Sequence, residues 1–101
     1  MNQWLWDNDI RWRLQGELTF KTVRLLLAQF LQNNTPTSPQ IIDLNEVTRV
    51  DSAGLALLIE IVKQKTALRF LNVPTQLHQL AQLSGVAEML FSIENSLSTQ
   101  D

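Results

Sequence analysis

The sequence has 101 residues, of which 45% are hydrophobic, and its 8 lysine and arginine residues nearly balance 10 aspartate and glutamate residues. This length predicts a single domain over residues 1–101. The net charge of -2 provides no positive field that would attract a phosphate backbone, so we expect no nucleic-acid partner. The sequence has no cysteine and one histidine, His78, which argues against a metal site and a catalytic triad.

The chain also lacks the motifs of nucleotide-binding and membrane-spanning proteins. Its three glycines, Gly16, Gly54 and Gly85, are too widely spaced for a phosphate-binding loop. Its apolar runs are far shorter than the roughly 20 residues of a membrane-spanning helix. The N-terminus has no basic segment followed by an apolar stretch, so no export signal is predicted. We therefore expect a cytoplasmic, non-catalytic protein with no cofactor and no small-molecule substrate.

The first predicted elements in chain order are two strands. Polar and apolar residues alternate over residues 4–18, which is the periodicity of a β-strand. Asn8 and Asp9 favour turn conformations and predict an antiparallel hairpin. The tryptophans of this hairpin share one side, so core packing is the favoured interpretation and an exposed contact patch is the alternative. These tryptophans are Trp4, Trp6 and Trp12.

A helix, a loop and a buried strand are predicted next. Thr19 is expected to cap the helix, whose apolar residues recur at helical spacing. They are Val23, Leu26, Leu27, Phe30 and Leu31. Residues 33–39 contain two prolines and no apolar side chain, which predicts a surface loop. Residues 41–44 then predict a buried central strand, followed by a link over residues 45–49.

The rest of the chain completes an α/β pattern. Its elements are a helix over residues 53–65, a strand over residues 68–73 and a helix from residue 74 to a stop at Gly85. Residues 86–91 predict a last helical turn before a short edge strand at residues 92–93, and residues 95–101 are expected to fray. This order predicts a mixed β-sheet, with an N-terminal hairpin followed by parallel strands, packed with three to four helices.

The helix over residues 53–65 has more apolar residues than one core-facing stripe can hold. The main stripe consists of Leu55, Leu58, Ile59 and Val62. Leu57 and Ile61 point roughly the other way. Either a neighbouring helix covers these two side chains, or they form an exposed patch that continues a docking surface.

The most distinctive motif is Val50-Asp51-Ser52-Ala53-Gly54-Leu55, between the buried strand and this helix. Ser52 is predicted to be the N-cap, which would be worth about 1 kcal/mol. The alternative is a switch: a phosphate on Ser52 would be stabilised at the helix N-terminus, yet it would add charge beside Asp51 and repel a partner docked there. The two interpretations are compatible.

This motif resembles that of the STAS domain, a family shared by sulfate transporters and anti-anti-sigma factors. The earlier Gly16-Glu17-Leu18 segment is similar to another part of the family pattern. The resemblance covers nearly the whole chain. It implies a mixed sheet packed with helices, a binding module without catalysis, and a contact site at Asp51, Ser52, Ala53, Gly54 and Leu55. It also matches Ser52 to the family's phosphoacceptor position.

Within the family, the stand-alone length and the run from Val50 to Ile59 are most similar to the small STAS subunit of bacterial Mla transporters. The resemblance implies that the chain binds the cytoplasmic ATPase of this ABC system, which maintains outer-membrane lipid asymmetry, and that it reaches the inner membrane only through that partner. The alternative is an anti-anti-sigma factor whose partner kinase phosphorylates Ser52. Many such regulators have glycine where this chain has Ala56, which favours the transporter subunit. A third interpretation is a small-molecule sensor, but the sequence shows no polar set that would form its pocket.

Overall fold

The computed structural model describes residues 3–65 and 67–91. Within these ranges the strands are β1 (Gln3–Trp6), β2 (Arg11–Leu18), β3 (Ile41–Val50) and β4 (Arg69–Leu71). The helices are α1 (Val23–Asn33), α2 (Ser52–Gln64) and α3 (Thr75–Leu83), and a helical segment over residues 87–91 follows α3. The edge strand predicted at residues 92–93 and the frayed end predicted at residues 95–101 lie outside the described residues.

The strands form one mixed sheet in the order β1-β2-β3-β4. β1 and β2 are antiparallel, whereas β3 is parallel to both β2 and β4. In the turn between β1 and β2, the side-chain oxygen of Asn8 accepts hydrogen bonds from the backbone N–H groups of Ile10 and Arg11, both at 2.9 Å. The predicted fold class and the predicted hairpin are confirmed.

Strand β3 is longer than the sequence predicts. The link expected over residues 45–49 is part of the strand, which pairs with β2 as far as the Leu18–Val50 pair. The register between the two strands shifts twice along this pairing, so polar residues of β3 stay exposed while the ladder continues. The strand predicted over residues 68–73 is shorter, because Asn72 has a φ of 55° and directs the chain out of the sheet.

Helix α2 lies in the middle of the fold. It contacts β2 and β3 of the sheet, and it also contacts α1 and α3. Apolar side chains from the sheet and the helices form one core, whose burial is the main favourable term in folding. The largest fully buried side chains are Trp12, Leu14, Leu18, Leu26, Phe30, Ile42, Leu44, Leu58, Ile61, Phe70, Leu77 and Phe91.

Helix α1 begins later than predicted. Thr19 is not its N-cap; residues 19–22 form a turn in which the backbone oxygen of Thr19 accepts hydrogen bonds from the N–H groups of Thr22 and Val23. The Thr22 hydroxyl donates a hydrogen bond to the backbone oxygen of Glu17 at 2.8 Å and accepts one from the Thr19 N–H at 3.1 Å, and it makes no capping hydrogen bond to the helix. At the other end of the predicted stripe, Leu31 is exposed.

The tryptophans do not all pack in the core. Trp4 and Trp12 are buried, with ring centroids 5.6 Å apart, and the Trp4 indole N–H donates to the backbone oxygen of Leu26 at 2.9 Å. Trp6 is 53% exposed, so the core prediction is wrong for this residue. It is the last residue of β1, and its ring packs edge-on against Trp12 while much of its surface remains open.

The end of α3 agrees with the prediction. Gly85 has a φ of 77° and follows the last helical residues, which is the usual role of glycine after a helix. The helical segment over residues 87–91 then packs Phe91 against Phe70 and against His78. His78 is therefore half-buried and stacked on an aromatic ring.

Candidate functional site

The motif at residues 50–55 lies where β3 ends and α2 begins. Because β2 and β3 are parallel, their carboxyl ends lie at the same edge of the sheet, and Leu18 pairs with Val50 there. The turn that leads from β2 to α1, residues 19–22, therefore lies beside the first turn of α2. The site is built from these two adjacent connections.

Asp51, not Ser52, is the N-cap of α2. One carboxylate oxygen, Oδ1, accepts hydrogen bonds from the backbone N–H groups of Ala53 at 2.9 Å and Gly54 at 3.2 Å. The prediction that Ser52 caps the helix is wrong by one residue. Ser52 is already the first helical residue, and the aspartate before it satisfies the free N–H groups of the first turn.

The same aspartate also holds the neighbouring turn. Its other oxygen, Oδ2, accepts a hydrogen bond from the backbone N–H of Phe20 at 3.1 Å, and its own N–H donates to the backbone oxygen of Leu18 at 3.1 Å. One side chain thus fixes the start of α2 and the turn before α1 relative to each other. These hydrogen bonds connect the backbone on both sides of the surface around Ser52.

Gly54 is required by close packing between α2 and β2. A Cβ atom at this position would lie 2.2 Å from the backbone oxygen of Leu18 and 2.8 Å from its Cβ. Neither contact can be relieved by a flexible side chain, since one is to backbone and the other to a Cβ. The glycine of the motif therefore has a structural role, which is to let the first turn of α2 approach the end of β2.

Phe20, Ser52 and Ala56 are exposed at this site, as is Lys21, and we call the first three residues the α2 N-terminal surface. Ser52 and Ala56 are four residues apart and share one helix face. The Phe20 side chain is 71% exposed although Asp51 holds its backbone. Phe20 is not predicted from the sequence because it lies 31 residues from Asp51 along the chain and joins the motif only through the fold. Of the other expected contact residues, Asp51 and Ala53 are partly exposed, whereas Gly54 and Leu55 are buried.

Comparison with known proteins identifies the family. A family model described as "Mlab, STAS domain" matches residues 5–92. The chain belongs to the STAS domain family. No curated protein sequence matches this STAS domain. Among solved structures, the anti-sigma factor antagonist SpoIIAA in its unphosphorylated form has a similar fold, with a TM-score of 0.65, 20% identity, and coverage of 90% of this chain and 86% of that chain.

STAS domains are regulatory or binding domains that interact with partner proteins and are typically non-catalytic. The part of this STAS domain that the structure describes contains no group of three or more side chains able to hold a metal ion. Within the same ranges, every helix is too short or too polar to cross a membrane.

Leu57 and Ile61 belong to the core of this STAS domain. Leu57 is 3% exposed and Ile61 is 0% exposed, so the hypothesis that they extend a docking patch is wrong. The physical reason is the central position of α2, which packs against two helices as well as the sheet. Two apolar stripes on one helix can then both be buried.

Charged side chains on the sheet pair with one another. Arg11 forms an ion pair with Asp43, and Arg13 lies between Asp7 and Glu46. Burial raises the pKa of Asp43, but hydrogen bonds from the Asn72 side chain and the Asn45 N–H, together with the Arg11 charge, outweigh this effect and lower the pKa below its ordinary value. These carboxylates stabilise the sheet surface and do not converge on the motif at residues 50–55.

Proposed function

We propose that this STAS domain is a non-catalytic subunit of an Mla-type ABC system, which transports phospholipids and maintains outer-membrane lipid asymmetry. In this role the protein binds the cytoplasmic ATPase and supports its assembly or activity. It reaches the inner membrane only through that partner and does not touch the lipid. The "Mlab" description of the matching family model supports the choice of system.

The α2 N-terminal surface is the proposed contact site. The observation that carries this proposal is that two adjacent residues have different roles. Asp51 accepts three backbone hydrogen bonds and holds the fold, whereas the exposed Ser52 hydroxyl makes no hydrogen bond with any described residue. A hydroxyl and an exposed aromatic ring suit a protein interface, and the hydrogen bond from the Phe20 N–H to Asp51 reduces the backbone that has to be ordered on binding.

Ser52 also supports a regulatory role for the same surface. Asp51 already occupies the N–H groups of Ala53 and Gly54, so a phosphate on Ser52 would leave the cap in place. It would add about -1.5 to -2 charges beside the Asp51 carboxylate. The fold would remain stable while a docked partner would be repelled.

The alternative function is an anti-anti-sigma factor regulated by a serine kinase. The exposed hydroxyl of Ser52 suits this role equally well, and the fold is similar to that of SpoIIAA. The two functions differ in the partner: an ATPase bound to a membrane permease in one case, and a serine kinase in the other.

Purification of the tagged full chain from solubilised membranes, followed by mass spectrometry, tests the partner. We expect an ABC ATPase together with its permease. Ser52→Asp should reduce recovery of the ATPase, whereas Leu83→Ser should not, since Leu83 is an exposed residue at the end of α3 and is not part of the α2 N-terminal surface. Recovery of a serine kinase without the ATPase would reject the transporter role.

A further inference from the structure

A second site is present at the end of α2 that lies away from Ser52. A cavity of about 780 Å³ opens between the loop after α1, the end of α2 and the first residues of β3 and β4. This volume is within the range of small-molecule sites, about 300–1,000 Å³. Its walls come from segments that are far apart in the sequence, which is why no polar set is visible in the sequence alone.

The charged side chains that line this cavity are both positive. Lys65 and Arg69 line it, and none of the described residues that line it is acidic, although the chain has 10 acidic residues and a net charge of -2. Hydroxyl and amide groups of the loop add further hydrogen-bonding groups, and Ile41 and Leu68 add apolar surface. The cavity therefore combines positive charge with an apolar wall.

Lys65 is fixed at the rim of the cavity. Its ammonium donates a hydrogen bond to the backbone oxygen of Thr35 at 2.6 Å, which ties the end of α2 to the loop. An ammonium has three N–H donors, so two remain for a ligand. Lys65 is also the C-cap residue of α2, where a cation offsets the partial negative charge of the helix end.

Arg69 is the second cation, and it has no counter-charge among the residues that the structure describes. Its side chain forms no ion pair or hydrogen bond with any described residue, although the residue is partly buried. Asp43 lies two residues along β3 from Ile41, the strand partner of Arg69, but its carboxylate is held by Arg11, Asn72 and the Asn45 N–H. A guanidinium in this position is free to bind an oxyanion with two parallel hydrogen bonds.

We propose that this cavity, with Lys65 and Arg69 in its walls, binds a soluble organic phosphate monoester. A phosphate ester carries about -1.5 to -2 charges at neutral pH, which matches two cations. The organic part would lie against the wall formed by Ile41 and Leu68. This site is separate from the α2 N-terminal surface, so it can be tested without the ATPase.

The test is an NMR titration of the ¹⁵N-labelled full chain with phenyl phosphate at constant ionic strength. We expect saturable shifts of the amides of Thr35, Lys65 and Arg69, and tighter binding of phenyl phosphate than of inorganic phosphate. Arg69→Gln should weaken binding about tenfold or more, because hydrogen bonds to charged groups are the stronger ones. The matched control is Arg24→Gln, an exposed arginine of α1, which should bind like the parent.

Four results would overturn the proposal. Shifts that do not saturate, or an equal loss of binding in Arg69→Gln and Arg24→Gln, would show only non-specific attraction. Equal affinity for phenyl phosphate and inorganic phosphate would show that the apolar wall takes no part. Co-sedimentation with vesicles that contain phosphatidic acid, lost in Arg69→Gln, would assign the site to a lipid headgroup instead of a soluble ligand.

Discussion

The first turn of α2 and the turns that follow it carry similar small and apolar side chains but have different surroundings. Ser52 and Ala56 face outwards beside Phe20, whereas Leu57 and Ile61 are enclosed by other elements of the fold. The side of α2 that carries Ser52 and Ala56 is thus open to a partner, whereas the side that carries Leu57 and Ile61 is not. An apolar side chain on a central helix is therefore not evidence of a docking surface until its neighbours are known.

The strongest test of this comparison is to place a charge on each side of α2. Ile61→Glu or Leu57→Glu should destabilise the fold by on the order of 4 kcal/mol or prevent folding, since each would bury an unpaired carboxylate. Ala56→Glu, one residue from Leu57 but exposed, should change the free energy of unfolding by no more than about 0.5 kcal/mol. Urea denaturation followed by circular dichroism measures both. Equal stability of Ile61→Glu and Ala56→Glu would contradict the burial of the helix body.

A smaller effect is expected from Gly54→Ala in the first turn. Alanine favours a helix more than glycine does, so helix propensity alone predicts a more stable protein. The contact of the new Cβ with the Leu18 backbone should reverse this sign and cost about 1–3 kcal/mol. A thermal melt of the variant measures the sign of this stability change. A melting temperature at or above that of the parent would refute the close packing of α2 on β2.

The different roles of Asp51 and Ser52 predict different losses of stability in two alanine variants. Asp51→Ala removes the cap and the hydrogen bond to Phe20, and should cost about 1–2 kcal/mol. Ser52→Ala should lie within about 0.5 kcal/mol of the parent, because its hydroxyl has no structural partner among the described residues. Chemical denaturation of the two variants side by side provides the comparison. A larger loss in Ser52→Ala would restore Ser52 as the cap.

The smallest effect concerns the sheet, away from α2. Since the folded protein lowers the pKa of Asp43 below the ordinary value of 3.8, this carboxylate stabilises the fold above that pH, and the contribution is lost as the pH falls through the lowered pKa. Asp43→Asn should therefore lose less stability than the parent between pH 4 and pH 2. Urea midpoints across this range test the prediction, and Ser52→Ala, which neither adds nor removes a titrating group, should retain the parent's dependence in this window. Parallel curves for Asp43→Asn and the parent would show that Asp43 does not contribute to the pH dependence of stability.

Sequence patterns predict most of the fold because local periodicity and turn residues determine it. The hairpin around Asn8, the order of helices and strands, and the stop at Gly85 all follow from such local signals. The length of β3 does not, because its polar end is held by pairing with β2 rather than by apolar periodicity. Local patterns likewise cannot show that two helices cover the second apolar stripe of α2.

The candidate site is only partly visible in the sequence. The motif at residues 50–55 marks its position, but two adjacent residues, Asp51 and Ser52, are both favoured caps, and only the backbone geometry decides between them. Phe20 is separated from the motif in sequence and joins it through one hydrogen bond to Asp51. Its exposure depends on where α1 starts, which is set by the turn at residues 19–22.

Docking through the α2 N-terminal surface is tested by the affinity of the purified ATPase for four versions of the chain. These are the parent, Phe20→Ser, Ser52→Asp and Leu83→Ser. Leu83 is 86% exposed and serves as the control for losing an exposed apolar side chain elsewhere. We expect Phe20→Ser and Ser52→Asp each to weaken binding about tenfold or more, as central interface residues do, with melting temperatures close to the parent's. Leu83→Ser should bind like the parent. Parent-like affinity of both Phe20→Ser and Ser52→Asp would contradict docking through the α2 N-terminal surface.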